Sequence, residues 1–181
     1  ARRNVDITYI VMDNSIYGLT KGQTSPTTEL EVKTATSPYG NIEPPVWPLS
    51  MALAGQATFV AQGLSADLNS LSDIIVAGIQ HRGFSFILVK SPCITYGGMA
   101  QVKSMQERAR PIDERHDPSD KRAAYGLAET TDYDPIGIFY QEKRPTFGER
   151  MGVLKKSVRP AEEEDGLQMQ VEDILDSFLP Q

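Results

Sequence analysis

Two places in this 181-residue chain carry residue types that could do chemistry. The first is the run Asp13-Asn14-Ser15-Ile16-Tyr17-Gly18-Leu19-Thr20-Lys21-Gly22-Gln23, which joins an oxygen-bearing pair, two glycines, hydroxyls and a single cation. Magnesium takes hard oxygen ligands and shares the oxygens of a phosphate, so a loop of this make-up suits a magnesium-bound phosphate. It is not a Walker loop: the G-x-x-x-x-G-K-[ST] spacing is absent, because Lys21 precedes Gly22 and Gln23 follows it. The same residues also describe a polar surface turn, and spacing alone leaves both readings open. The second place is Cys93, after Ser91-Pro92. A lone cysteine closes neither an internal disulfide nor a metal site, and in isolation it reads as a small buried hydrophobe. His81 and His116 have no nucleophile arranged near them in sequence, and His81 falls at a helix end where a cation suits the macrodipole. Neither G-x-S-x-G nor H-E-x-x-H occurs, which leaves hydrolase chemistry without support.

These residues need elements to hold them. Val5, Ile7, Tyr9, Ile10, Val11 and Met12 form a nearly continuous β-prone run that suits a central parallel strand buried on both faces, ending at the turn formers Asp13 and Asn14. A Thr/Ser/Gly/Pro-rich stretch follows up to Ala52, long enough to be functional or disordered. A short helix over Leu49 to Ala54 leads to a strand at Ala57 to Gln62. Leu68, Leu71, Ile74, Ile75 and Ile79 then recur at helical spacing behind the N-cap candidate Asp67, with Gly83 as a stop. Phe84 to Val89 reads as a strand, Met99 to Arg108 and Ser119 to Leu127 as helices, and Pro135 to Tyr140 as a short strand. Strand, crossover helix, strand is the pattern of a parallel α/β sheet, in which ligands collect outside the carboxyl ends of the strands. The Asp13–Gln23 loop and Cys93 both fall at that edge.

With this order in place, a resemblance becomes specific. Val11 to Thr28 (VMDNSIYGLTKGQTSPTT) resembles the second half of the thiamin diphosphate motif in the β subunits of 2-oxoacid:ferredoxin oxidoreductases. Similarity continues in order through Tyr39 to Pro45, Ala57 to Gly63, Arg82 to Tyr96, Pro135 to Tyr140 and Arg144-Pro145-Thr146, covering residues 1–150. It implies a Rossmann-like thiamin diphosphate-binding fold with a mostly parallel sheet, truncated at the N-terminus. On this resemblance Asn14 supplies a side-chain ligand to Mg2+ and Ile16 its backbone carbonyl. Gly18, Leu19 and Thr20 form the turn against the diphosphate and the thiazolium ring, with Leu19 and Thr20 nearest the reacting centre. Lys21 stands where other members carry glycine, and is expected to bind the distal carboxylate of a substrate such as 2-oxoglutarate. Cys93 matches the fourth cysteine ligand of a [4Fe-4S] cluster, for which soft thiolates are suited.

The chain has no C-x-x-C and no G-D-G-D ahead of its first strand, so the other cluster cysteines and the aspartate ligand of magnesium are expected outside it. The implied reaction is oxidative decarboxylation of a 2-oxoacid, best 2-oxoglutarate, to its acyl-coenzyme A with electrons passed to ferredoxin. The rest of the coenzyme site is expected from the α subunit. The alternative is a thiamin-fold module kept for assembly after its cofactor chemistry was lost. Arg108, Arg110, Arg115, Lys121 and Arg122 read as a solvated face, or more sharply as a contact for coenzyme A phosphates or acidic ferredoxin.

Composition bounds the rest. Forty per cent hydrophobic and 23% charged residues are those of a globular protein. The net charge of −6 is concentrated from residue 161 onward, where Glu162, Glu163, Glu164, Asp165, Glu172, Asp173 and Asp176 are accompanied by no lysine or arginine, leaving residues 1–160 nearly neutral. That argues against a nucleic-acid partner. No apolar run approaches the roughly 20 residues of a membrane span, and the reading is of a cytoplasmic protein without a membrane partner. Residues 151–181 are expected to form an acidic tail ending in an amphipathic helix.

Overall fold

The computed structural model describes residues 1–152. The expected acidic tail and its helix lie outside the described residues, apart from the first two positions. The chain divides into a compact unit, Ala1–Phe147, and a second, Gly148–Gln181. The elements run β1 (Ile7–Asp13), α1 (Pro48–Ala54), β2 (Phe59–Leu64), α2 (Leu68–Gln80), β3 (Phe84–Lys90), α3 (Ile94–Arg108), β4 (Ala109–Pro111), α4 (Lys121–Ala128), β5 (Asp134–Gln141) and α5 (Phe147–Met151).

The strands form one sheet in the order β1-β3-β2-β5-β4, parallel throughout except where β2 meets β5 antiparallel. Alternation along the strands sends side chains to two cores, because successive residues of a strand point to opposite faces. Val60, Leu88, Phe139 and Tyr140 pack with Leu49 and Leu53 of α1 and with Ala124 and Ala128 of α4, the consecutive Phe139 and Tyr140 sharing this face because the β2–β5 register shifts at a bulge there, between Val60 and Ala61. On the opposite face Phe59, Ala61, Ile87 and Val89 pack against Ile74 of α2, with Leu71, Ile75 and Ala77 around it. The helical spacing of α2 supplied that apolar stripe, and Asp67 caps it by accepting from the Ser70 amide at 3.3 Å.

The first strand departs from its expected place. Among the described residues β1 lies at the sheet edge and pairs only with β3, and Ile7, Tyr9, Ile10 and Met12 are exposed. A continuous apolar run is shared by a strand buried on both faces and by an edge strand that leaves apolar surface open, and composition does not separate the two. The helix expected over Met99–Arg108 is present; ahead of it, across a break at Gly98 whose φ of 63° and ψ of −171° are not helical, a further helical turn begins at Ile94 with Cys93 as N-cap residue. His81 does not act as a cation at a helix end. It is buried, its Nε2 lies 2.9 Å from Thr58 Oγ1, and desolvation lowers its pKa from 6.5 while Asp6 opposes the shift. Among the described residues no helix is long and apolar enough to cross a membrane.

Candidate functional site

Parallel pairing sets the site. β1 and β3 run in register to their last residues, Asp13 opposite Lys90, so the chain segments leaving both strands start side by side. The Ser91 amide donates to the Asp13 carbonyl at 2.8 Å, extending the ladder one step past the strands. Asp13 is buried and ties this corner together. Its carboxylate accepts from Thr27 Oγ1 at 2.5 Å and from the Ser15 amide at 3.0 Å, and pairs with Lys90 Nζ at 3.2 Å. It is thus a turn-capping residue, as its type suggests.

The next residue repeats the device. Asn14 Oδ1 accepts from the Ile16 amide at 3.1 Å, and Ser15 between them takes a left-handed φ of 57°. Ser15 and Tyr17 have their carbonyls engaged, the first by Thr28 Oγ1 at 2.7 Å and the second by the amides of Gly22 and Gln23. Residues 17–23 then close on themselves through a bridge between Tyr17 and Gln23. Leu19, Thr20 and Lys21 form the exposed tip of this turn, Leu19 entirely open to solvent and Thr20 making only a long, 3.5 Å hydrogen bond to the Tyr17 carbonyl. Lys21 sits at φ 73°, a left-handed conformation that costs a residue with a Cβ roughly 1–2 kcal/mol.

Cys93 comes to the same place. A Cβ added at Gly18 would lie 3.5 Å from Cys93 Sγ, and one at Gly22, whose φ is 82°, would lie 2.8 Å from the ring of Tyr96. The turn's glycines therefore allow close approach to the start of α3. Gln101, one turn beyond the Gly98 kink, folds back across this contact. Its Nε2 donates to the Asn14 carbonyl at 3.0 Å, and its Oε1 accepts from the Cys93 amide at 2.9 Å. So Asn14, Ile16, Gly18 and Cys93, some 80 residues apart in sequence, meet at one sheet end, whereas Leu19, Thr20 and Lys21 face outward from it.

The long segment after the turn is ordered by polar groups of its own. Buried Asn41 donates to the carbonyls of Thr28, Glu29 and Glu43 and accepts from the Glu43 amide, while Thr24, Thr34, Thr36 and Ser37 share a hydroxyl network. This segment also roofs a cavity of about 520 Å³ at the carboxyl ends of the strands, with Gln62, Leu88 and Trp47 in its wall. The cations there are already engaged: Lys90 by Asp13, and Arg108 by Asp134 at 3.1 Å and the Thr131 carbonyl at 2.7 Å. Of the other basic residues, Arg115 clamps Asp113 and Lys121 lies over the Tyr140 ring. Sequence reasoning missed Gln101, Thr27, Thr28 and Asn41. Only Gly97-Gly98 ahead of Gln101 and the run of hydroxyls after Gly22 could have hinted at them.

Comparison with known proteins decides what this arrangement belongs to. Residues 1–89 match the family described as thiamine pyrophosphate enzyme, C-terminal TPP binding domain, and residues 93–156 match the family for the C-terminal region of the pyruvate ferredoxin oxidoreductase beta subunit. The 2-oxoacid:ferredoxin oxidoreductase subunit beta of Saccharolobus solfataricus is 41% identical over 156 residues, 78% of this chain and 50% of that one. The chain belongs to the β-subunit family of the 2-oxoacid:ferredoxin oxidoreductases. The 2-oxoglutarate synthase subunit KorB of Methanocaldococcus jannaschii is 35% identical over 87% of this chain and 59% of its own length. Among solved structures, the 2-oxoglutarate:ferredoxin oxidoreductase from Magnetococcus marinus with 2-oxoglutarate, coenzyme A and succinyl-CoA bound superposes with a TM-score of 0.82 at 34% identity, covering 99% of this chain and 60% of that one. The α/β fold with its mostly parallel sheet is thus the thiamin diphosphate-binding one. This chain spans about half the length of the curated relatives it matches.

Proposed function

We propose that this chain contributes the diphosphate-holding turn and one iron–sulfur ligand to a thiamin diphosphate-dependent 2-oxoacid:ferredoxin oxidoreductase that converts 2-oxoglutarate and related 2-oxoacids to acyl-coenzyme A. The observation that carries this reading is the convergence of the Asn14 turn and Cys93 at the carboxyl ends of β1 and β3, in register and joined by one side chain. The donor chemistry fits the groups expected. Asn14 Oδ1 and the Ile16 carbonyl are neutral, hard oxygens two residues apart, suited to an ion whose remaining ligands are phosphate oxygens and outside residues. Among the described residues no three His, Cys, Asp or Glu side chains lie close enough to hold a metal alone. In this reading the ion therefore depends on the diphosphate and on groups beyond the described residues. Cys93, a free and part-exposed thiol, brings its Sγ to within 3.5 Å of where a Cβ at residue 18 would lie, so the proposed cluster ligand stands directly beside the coenzyme turn.

Thiamin diphosphate, when bound, supplies the carbanion stabilisation that decarboxylation requires. The work of this chain is to bind and to discriminate. The two capped turns at Asp13 and Asn14 fix the direction in which Asn14 Oδ1 and the Ile16 carbonyl can point. The exposed tip residues Leu19 and Thr20 present an apolar and a hydroxyl contact to the coenzyme ring, under cover of an α subunit. Lys21 holds a cation at that tip in a backbone conformation that glycine would adopt without strain, consistent with selection for its charge. A cation desolvated beside the distal carboxylate of 2-oxoglutarate favours that substrate, because pyruvate leaves it unpaired. Ferredoxin, in the cytoplasm, takes the electrons. The test is co-expression of the full-length β subunit with its α subunit and assay on 2-oxoglutarate, 2-oxobutyrate and pyruvate with a dye acceptor. Activity that requires added thiamin diphosphate and magnesium is expected; a complex that binds neither overturns the reading.

A further inference from the structure

The side chain of Gln101 is placed unusually for a surface helix. It turns back along α3, so close over Gly97 that a Cβ there would collide with its Oε1 and lie 2.7 Å from its Cβ. The break at Gly98, with its positive φ, separates the Cys93–Gly97 segment from the rest of the helix. Both ends of the carboxamide are then used on backbone: the NH2 on the Asn14 carbonyl, the oxygen on the Cys93 amide. A carboxamide offers a donor and an acceptor together in one rigid plane without charge. A single planar group thus joins the two segments.

We propose that Gln101 is a positioning residue that couples the coenzyme turn to the iron–sulfur ligand. This rests on the function proposed above, in which Asn14 faces the coenzyme's metal and Cys93 holds a cluster corner. Any displacement of the Asn14 backbone on binding the diphosphate moves the Cys93 backbone through one rigid amide. The orientation and hydrogen bonding of a ligating cysteine tune the potential of its cluster. Linkage makes the effect reciprocal: if the coenzyme shifts the cluster's potential, reduction of the cluster shifts coenzyme affinity by the same free energy. The pair of glycines at 97 and 98 exists, on this view, to let the amide lie where it does.

The experiment is redox titration of the intact αβ complex by electron paramagnetic resonance, with and without thiamin diphosphate and magnesium, alongside coenzyme affinity in the oxidised and reduced states. The wild type is expected to show about a fivefold affinity difference, equivalent to ~40 mV for a one-electron couple. Gln101→Ala loses both hydrogen bonds and the shift. Gln101→Glu keeps an acceptor for the Cys93 amide but loses the donor to Asn14, and Gly97→Ala displaces an intact amide. Each should abolish the shift while iron and sulfide content stay at the wild-type level, so the proposal remains open to refutation if Gln101→Ala does not assemble. The same shift in wild type, Gln101→Glu and Gly97→Ala, or no shift in the wild type, overturns the coupling alone. A wild-type complex without a cluster signal overturns the parent function as well.

Discussion

The two ends of the sheet are built on opposite plans. At the amino ends of β1, β2 and β3, polar groups spend themselves on one another. Asn4 is buried at φ 52°, donates to the carbonyls of Arg144 and Pro145, and accepts from Thr58 Oγ1 and the Phe84 amide. Because Thr58 Oγ1 donates to Asn4, it accepts from His81 Nε2, which fixes the proton on that nitrogen. At the carboxyl ends buried Asp13, paired with half-buried Lys90, plays a comparable anchoring part, but the residues just beyond it lead into an exposed tip. One end closes the fold; the other anchors a turn whose tip side chains, Leu19, Thr20 and Lys21, are exposed among the described residues. Buried polar residues thus mark both ends, and what distinguishes the candidate site is where the residues next to them point.

Substitutions can break or sharpen this contrast. The largest effect on folding is expected from Asn4→Ala, which removes four hydrogen bonds, leaves buried partners unsatisfied and places alanine in a left-handed conformation. A loss on the order of 3 kcal/mol or more should appear in chemical denaturation. Asn14→Ala should do the reverse, lowering coenzyme affinity by about 100-fold by calorimetry with less than about 1 kcal/mol lost in stability. If both variants unfold alike, the division between the ends is wrong. Lys21→Ala is expected to reduce kcat/KM for 2-oxoglutarate about tenfold more than for pyruvate, and equal losses would remove its carboxylate role. Lys21→Gly should share that defect yet gain up to about 1 kcal/mol in stability by relieving the left-handed backbone.

The subtlest test is pH. Burial favours neutral His81, so its folded pKa lies below 6.5 and the unfolded chain binds more protons. Its contribution is complete above the unfolded value and declines as pH falls through 6.5 toward the folded one. A stability profile measured between about pH 7.5 and 5 should flatten in His81→Gln. An unchanged slope would assign the acid sensitivity to other groups.

Much of this was legible in the sequence because it is written locally. The spacing of Leu68, Leu71, Ile74, Ile75 and Ile79, with the Asp67 cap, gave α2 within a residue at its start. The turn chemistry of Asp13 and Asn14 followed from residue type. The edge position of β1 was hidden, since strand order is decided by partners far along the chain. β4, three residues long, is too short for any periodicity to declare it. Gln101 was invisible for a related reason: a glutamine in a polar helix has no distinguishing pattern until the fold brings residues 14 and 93 under it.

The open edge of β1 has a consequence for how this polypeptide must be made. Its outer backbone groups have no neighbouring strand among the described residues, and Tyr9, Ile10 and Met12 lie along the same ribbon. Such a ribbon templates addition of any extended chain, including another copy. Synthesis without whatever lies alongside it in the working assembly should yield inclusion bodies.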